Sequence, residues 1–205
     1  MADASRYPVP ADTHRVEQSI QRSRFVTTVA RASDAEAAHA FVARIREEFP
    51  DATHNCWAFV AGPPGSTAQI GMSDDGEPHG TAGRPMLTTL LHGGVGEIVA
   101  VCTRWFGGVK LGTGGLSRAY SGSVKQALEA LPTEEKVDRV RLRVTVGYAE
   151  VDGFRRMADE RGVTVESEDF AADVTFVAGV PSATREQFER AVSDLTQGRA
   201  EVEPA

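Results

Sequence analysis

The sequence predicts an α+β protein built from two domains. Three observations indicate this: strands rich in β-branched residues alternate with amphipathic helices up to about residue 131, a charged break follows at residues 132–136 (PTEEK), and the remaining elements have the order β-α-β-β-α-β. That order is typical of a ferredoxin-like fold. We therefore place the domains at residues 1–135 and 136–205.

The first predicted elements are a strand and a helix. Residues 24–30 (RFVTTVA) are typical of a strand, and Ser33 and Glu36 match a capping box with Ser33 as the N-cap. The helix that follows ends at Pro50. Its apolar face is formed by Ala37, Phe41, Ile45 and Phe49.

A hairpin and a second helix come next. Residues 54–61 (HNCWAFVA) predict a strand, the turn signal GPPG closes it, and residues 69–72 predict its partner. Pro85 opens a helix that ends at Gly93. Residues 73–83 (SDDGEPHGTAG), before this helix, form an acidic loop that is one of two candidates for chemistry.

The other candidate is residues 98–122 (IVAVCTRWFGGVKLGTGGLSRAYSG), a buried strand, a glycine-rich loop and a helix that begins after Gly115. Glycines let a ligand approach the main chain, and a helix N-terminus attracts anions. An anion site is therefore predicted, although a tight turn with solvated cations would also suit the loop. The predicted anion- or nucleic-acid-binding residues are Arg104, Gly107, Gly108, Lys110, Gly112, Gly114, Gly115 and Arg118.

The second domain is predicted from residue 139 onward. Alternation and helical periodicity predict strands at residues 139–148, 163–168, 171–180 and 199–202, and helices at residues 150–161 and 182–196.

Composition and charge limit the function. The 205 residues carry a net charge of −7, which argues against a nucleic-acid binder that works through global positive charge. Residues 81–128 nevertheless contain five basic residues and one acidic residue, so a confined basic face is expected. No signal peptide or stretch of membrane-spanning length is present, and we expect a cytoplasmic monomer with no membrane contact. Cys56 and Cys102 lie in apolar runs and are predicted to be buried thiols.

The acidic loop also raises the question of a metal. Carboxylates and imidazoles bind divalent cations, but their spacing here matches no metal motif. We expect Asp74 and Asp75 to cap turns and to pair with Arg84 or Arg104, and we predict no metal and no cofactor. The metal candidates are Asp74, Asp75, Glu77 and His79, with His54 on a neighbouring strand.

No catalytic residue is assigned. The chain lacks the GxSxG nucleophile elbow, the Walker A loop and GxGxxG. Aromatic side chains beside the strands are candidates for stacking on bases or for core positions. These are Trp57, Trp105, Phe106 and Tyr120.

Long motifs carry a family resemblance. SDDGEPHGTAGRPML and VAVCTRWFGGVKLGTGGLSRAYSGSV strongly resemble the signature of the IMPACT/YigZ family, in its two-domain bacterial type, and ATHNCWA resembles its third motif. The resemblance implies a first domain with the fold of a ribosomal protein, elongation factor G domain IV and GHMP-type kinases. It implies a second domain similar to elongation factor G domain V. In eukaryotic relatives the family is tied to control of translation in the response to amino-acid starvation.

The family pattern also marks polar positions near the loop. Trp105 stands where tyrosine is usual and His79 where a small residue is usual, which implies an altered ligand surface. The polar cluster carried over from the family comprises His54, Asn55, Asp74, Asp75, Glu77 and Thr81, and the pattern further marks Gly80, Gly83 and Tyr120.

We expect from this resemblance a protein that binds RNA or the ribosome and regulates translation, with a translation factor or regulatory protein as a further partner. Two alternatives stay open. The loop LGTGGLSRA resembles the phosphate loop of GHMP-type kinases, which would indicate phosphotransfer or hydrolysis on a small phosphorylated ligand. A protein-interaction module would need no anion at all.

Overall fold

A computed structural model describes residues 6–205, which form eleven strands and five α-helices. By contacts, the described chain divides into two compact units, Tyr7–Glu135 and Lys136–Ala205 together with Arg6. The strands are β1 (Arg6–Pro10), β2 (His14–Ile20), β3 (Ser23–Arg31), β4 (His54–Val60), β5 (Ile70–Ser73), β6 (Ile98–Trp105), β7 (Thr133–Val137), β8 (Arg139–Val146), β9 (Thr164–Phe170), β10 (Val174–Pro181) and β11 (Glu201–Pro204). The helices are α1 (Ala35–Glu48), α2 (Gly83–His92), α3 (Gly112–Glu129), α4 (Val151–Glu160) and α5 (Arg185–Thr196).

The first unit is built on an antiparallel sheet with the order β2-β3-β6-β4-β5. Helix α1 covers one face and helices α2 and α3 cover the other. The central strand β6 contributes Val99 and Val101 to the core under α1, and Ile98, Ala100 and Cys102 to the core under α2 and α3. Burial on both faces explains why this strand has an unbroken apolar sequence.

Two helix starts differ from the sequence prediction. The N-cap of α1 is Asp34 and not Ser33, because the Asp34 carboxylate accepts a hydrogen bond from Ala37 N at 2.8 Å while the Ser33 hydroxyl donates to that carboxylate. Helix α3 begins at Gly112, so Gly114 and Gly115 lie inside its first turn and not before it. The sequence pattern placed this start too late because the first buried apolar residue of α3 is Leu116, one turn after the helix begins.

Three strands were not predicted: β1, β2 and β7. Strands β1 and β7 form a separate two-stranded sheet, and β2 is an edge strand of the main sheet. The sequences of β2 (HRVEQSI) and β7 (TEEKV) are polar, with no residue of either strand buried. Edge strands need few apolar side chains, so their sequences carry little periodic signal.

The second unit has the order β8-α4-β9-β10-α5-β11, and its antiparallel sheet has the order β11-β8-β10-β9. This confirms the predicted α+β class and the ferredoxin-like arrangement. Phe154, Phe176 and Phe188 form the centre of its core, with the first two rings stacked at 4.3 Å between centroids. Across residues 6–205, no helix combines the length and the apolar character needed to cross a membrane.

Candidate functional site

The acidic loop between β5 and α2 is organised by Asp74. Its carboxylate accepts hydrogen bonds from the backbone N–H groups of Gly80 at 2.7 Å, Ala82 at 3.0 Å and Gly83 at 2.9 Å. The N-cap residue of α2, Ala82, has no side chain that could accept a hydrogen bond from the first turn. The Asp74 carboxylate, eight residues before Ala82, supplies that acceptor instead. Gly83 is required in this arrangement, since a Cβ there would lie 2.9 Å from the Ser73 backbone.

These contacts predict a pH-dependent stability. Partial burial of Asp74 opposes ionisation, but the three amide hydrogen bonds outweigh it and lower the pKa of the carboxyl below its ordinary 3.8. The charged form therefore stabilises the fold above that pH, and the contribution is lost as pH falls through the folded-state pKa. We expect Asp74→Asn to lower the free energy of unfolding by about 1 kcal/mol at neutral pH.

Urea unfolding measured at several pH values checks this expectation. The difference between the wild type and Asp74→Asn should be constant near neutrality and shrink once the wild-type carboxyl is protonated. Asp12→Asn is the matched control because Asp12 is exposed and has no hydrogen-bond or ion-pair partner among residues 6–205. A difference that grows toward acid pH would contradict a capping role for the charged carboxylate.

The second aspartate is also held by the protein. Asp75 Oδ2 accepts from Asn55 N at 2.6 Å and Oδ1 from Arg46 Nη2 at 2.5 Å. His54 Nδ1 donates to the Asp75 carbonyl at 2.8 Å. The predicted pairing of Asp74 or Asp75 with Arg84 or Arg104 is therefore wrong. Asp75 forms an ion pair with Arg46 on α1, and the Asp74 carboxylate accepts hydrogen bonds from backbone N–H groups.

Glu77 is the acidic partner of Arg104. Arg104 Nη1 donates to Glu77 Oε1 at 2.5 Å, Tyr120 Oη donates to the same oxygen at 2.8 Å, and Arg104 Nη2 donates to Ser23 Oγ at 3.1 Å. The Glu77 and Arg104 side chains are only 3% and 5% exposed. Burial raises the pKa of Tyr120, which keeps its phenol neutral and able to donate.

A pocket of about 310 Å³ borders this ion pair. Phe106, which is 47% exposed, forms an open aromatic wall of it. Arg104 therefore lines this pocket as a buried residue and is not a surface cation. The pocket is lined by Glu77, Pro78, Arg104, Phe106, Lys110, Leu111, Gly112, Thr113 and Leu116.

The glycine-rich loop places cations at the edge of this pocket. Gly107 packs so tightly on the turn before β3 that an added Cβ would lie 1.9 Å from the Arg22 carbonyl oxygen. Gly108 and Gly112 have φ angles of +83° and +70°, which glycine adopts without strain. Lys110 follows within this turn and is exposed.

Helix α3 then begins without a side-chain cap, so its first backbone N–H groups are free to meet a ligand. Arg118 is exposed one turn further along and lines a neighbouring cavity together with Leu111 and Gly115. Neither Lys110 nor Arg118 has an ion-pair partner in the described part of the chain. The structure thus brings the predicted anion-binding residues onto one strand, loop and helix, with Arg104 beneath the surface.

The remaining predicted polar residues are engaged within the protein. Asn55 Oδ1 accepts from Thr103 Oγ1 at 2.8 Å, and Thr81 Oγ1 donates to the Pro78 carbonyl at 2.6 Å. His79 is fully exposed, with Nδ1 at 3.8 Å from an Asp74 carboxylate oxygen. In residues 6–205 no three His, Cys, Asp or Glu side chains are grouped so that they would hold a metal ion.

Of the four candidate aromatic side chains, one faces the pocket. Trp57 stacks on Phe59 and Trp105 packs against Phe49, while Tyr120 is completely buried. Phe106 alone of the four lines the pocket.

Ser23 was not identified from the sequence as a contact of Arg104, nor were the apolar residues that line the pocket. Ser23 lies 81 residues from Arg104 in the sequence, and nothing in its sequence context indicates that its hydroxyl accepts a hydrogen bond from Arg104. Leu116 matches an ordinary core position of α3, and Leu111 is an apolar residue just before that helix, so their place at a pocket wall has no separate signal in the sequence.

Both cysteines are free and buried, as predicted. Burial raises the pKa of the Cys102 thiol to about 12 and also raises that of Cys56. Cys56 Sγ donates to the Asp74 carbonyl at 2.9 Å. These thiols are therefore protonated structural groups and not nucleophiles.

The chain is similar to known proteins over most of its length. The profile of the Impact N-terminal domain matches residues 21–128, and that of a domain of unknown function, DUF1949, matches residues 144–199. An IMPACT family member of Haemophilus influenzae is 39% identical over 199 residues, 97% of each chain. IMPACT family member YigZ of Escherichia coli is 41% identical over 194 residues, 95% of each chain. The crystal structure of a hypothetical protein, 39% identical and 98% covered in both chains, superposes with a TM-score of 0.72.

Proposed function

Because the chain belongs to the IMPACT family, we propose that it is a cytoplasmic regulator of translation that binds RNA or the ribosome. Phosphate groups would be held by the glycine-rich loop and the start of α3. The translational role rests on the family resemblance, and the phosphate contact rests on the site itself.

The observation that carries the proposal is the pair of unpaired cations at the open start of α3. In the first unit, most basic side chains face a carboxylate, as Arg15, Arg24 and Arg46 do. Those with neither a carboxylate nor an aromatic partner among the described residues are Arg22, Arg84, Lys110 and Arg118. Lys110 and Arg118 border the glycine-rich loop, and the Arg22 backbone contacts Gly107.

Elementary electrostatics explains why such a place attracts phosphate. The free N–H groups and the positive end of the dipole of an 18-residue helix favour an anion, and two cations without partners add to the same field. The net charge of −7 opposes RNA elsewhere on the protein, so the interaction should be modest and confined to this site.

The expected signature is steep salt dependence. With about two phosphates neutralised by Lys110 and Arg118, log K against log salt should have a slope of about −1.4 to −1.8, and Lys110→Glu should reduce its magnitude by about 1. The loss of affinity should be similar for all RNA sequences, since a phosphate contact carries no base information. Fluorescence anisotropy of a labelled, structured RNA across a series of salt concentrations measures this.

Lys125→Glu is the matched control, because it makes the same change of charge on the exposed side of α3, where Lys125 faces Glu129 at 3.9 Å. This variant should retain the wild-type slope of log K against log salt, apart from a small change caused by the more negative net charge of the protein. Equal losses in Lys110→Glu and Lys125→Glu, or RNA binding that is indifferent to salt, would contradict a local phosphate site.

The alternative of a phosphotransfer or hydrolytic enzyme has less support. A catalytic Mg²⁺ would need free carboxylates, whereas Asp74 accepts from three amides, Asp75 pairs with Arg46, and Glu77 pairs with Arg104. A protein-interaction module would not need the unpaired cations at the start of α3. No contact in the first unit specifically favours either alternative.

A further inference from the structure

The pocket beside the Glu77–Arg104 pair has walls that suit a flat, apolar group better than a phosphate. Pro78, Leu111 and Leu116 contribute apolar surface. The charges of Glu77 and Arg104 neutralise each other at 2.5 Å, so a phosphate inside the pocket would lie next to the Glu77 carboxylate, and Lys110 is the one lining cation outside this ion pair. The volume of about 310 Å³ is at the small end of the range for ligand pockets and excludes a duplex.

Phe106 supplies a stacking surface in this pocket. Its ring is 47% exposed directly after β6, and the Arg104 guanidinium carbon lies 5.6 Å from the ring centroid. Exposed aromatic rings and guanidinium planes are the groups on which proteins stack unpaired bases. The ring of the preceding Trp105, by contrast, packs against Phe49, and its Nε1 donates a hydrogen bond to Asp51 Oδ2 at 3.0 Å.

Arg104 adds an observation that points to a ligand. The residue is 4% exposed and lines the pocket, yet its Nε–H has no hydrogen-bond partner. A buried donor without an acceptor is costly, and protein structures rarely leave one unsatisfied. The Nε atom is itself buried, so an acceptor on the edge of a base, a ring nitrogen or a carbonyl oxygen, would satisfy it only once the Arg104 guanidinium turned toward the pocket.

Lys110 and the first turn of α3, at Gly112 and Thr113, line the same pocket as Phe106. We infer that the pocket receives one unpaired base of a single-stranded RNA segment, stacked on Phe106, with a flanking phosphate on Lys110 and the α3 amides. This inference rests on the proposed function. A phosphorylated peptide would use Lys110 but would leave the planar surface of Phe106 without a matching group, so RNA is favoured.

A single-stranded oligoribonucleotide with one 2-aminopurine at its centre tests the inference. Stacking quenches the fluorescence of this base, so wild-type protein should quench it and should bind the single strand more tightly than a blunt duplex of the same sequence. Phe106→Ala should abolish the quenching and weaken single-strand binding about 5- to 100-fold. Phe106→Tyr, which keeps the ring, should restore both readouts. An oligonucleotide with an abasic site at the probe position should bind wild type as weakly as the intact strand binds Phe106→Ala.

The outcomes separate this inference from the proposed function. If Phe106→Ala binds like wild type and the abasic strand loses nothing, while Lys110→Glu still weakens binding, the base pocket is wrong and the phosphate site stands. If neither variant changes the affinity, the proposed function fails as well. A phosphothreonine peptide that binds more tightly than the RNA and depends on Phe106 would overturn the nucleic-acid assignment. Thermal unfolding controls for the fold, and Phe106→Leu replaces the alanine variant if that one is destabilised.

Discussion

Replacing Glu77 with alanine should lower the free energy of unfolding by about 3–5 kcal/mol, because it leaves a buried arginine without its counter-charge. Arg104 is 4% exposed, so its charge is largely shielded from water, and Tyr120 loses the acceptor of its hydroxyl at the same time. Urea unfolding followed by circular dichroism measures the change, with an unaltered m-value as the sign that the unfolded state is comparable.

Two further variants make this prediction specific. The double substitution Glu77→Leu with Arg104→Met removes both charges and should be far less destabilising than Glu77→Ala, since no buried charge is left unpaired. Glu47→Ala, on the exposed side of α1, should change stability by less than about 0.5 kcal/mol. If Glu77→Ala were as mild as Glu47→Ala, the ion pair would have to be solvated and the pocket more open than described.

Gly107→Ala should be the most damaging change in the glycine-rich loop. The new Cβ would lie 1.9 Å from the Arg22 carbonyl oxygen and 2.6 Å from Ser23 N, and both are backbone atoms that cannot rotate away. Displacing the turn should reduce stability by about 1–3 kcal/mol or more. It should also weaken RNA binding, because Phe106 and Lys110 flank the displaced residue. Thermal unfolding and the anisotropy titration measure the two effects.

Gly122→Ala provides a control of opposite sign. Gly122 is exposed within α3, has no positive φ, and an added Cβ would meet no atom within 4 Å. Alanine is a better helix former than glycine, so this variant should be more stable by about 0.5–1 kcal/mol. Destabilisation by Gly122→Ala as well would mean that glycine-to-alanine changes in this segment are harmful for a reason other than the contact of Gly107 with the Arg22 backbone.

Elements with strong periodicity were predictable from the sequence. The buried strand β6 has an apolar run that only a strand covered on both faces needs, and the ferredoxin-like order followed from alternating strands and two amphipathic helices. The strands β2 and β7 were missed because a polar edge strand has no such pattern, and β1 was missed because two prolines interrupt its five residues.

The contacts of the site were harder to predict than its location. The loop residues were proposed as a site because glycines and cations are local signals in a sequence. The partner of Arg104 was assigned to the wrong acid, because the choice between Asp74, Asp75 and Glu77 depends on how a loop turns and not on its composition. Likewise, Asp74 was expected in a turn, but its bonding to the start of α2 arises from backbone geometry that no side-chain pattern records.

The pairing of β1 with β7 has a practical consequence for dissecting the protein. Residues 6–10 and 133–137 lie side by side, so the first unit begins and ends at the same small sheet. A truncated gene product that stops at residue 132 would expose the hydrogen-bonding edge of β1 and lose the Arg31–Glu134 contact at 2.9 Å. The adjacency of these ends also makes the unit suited to circular permutation, in which a short linker joins them and new termini open in a distant turn.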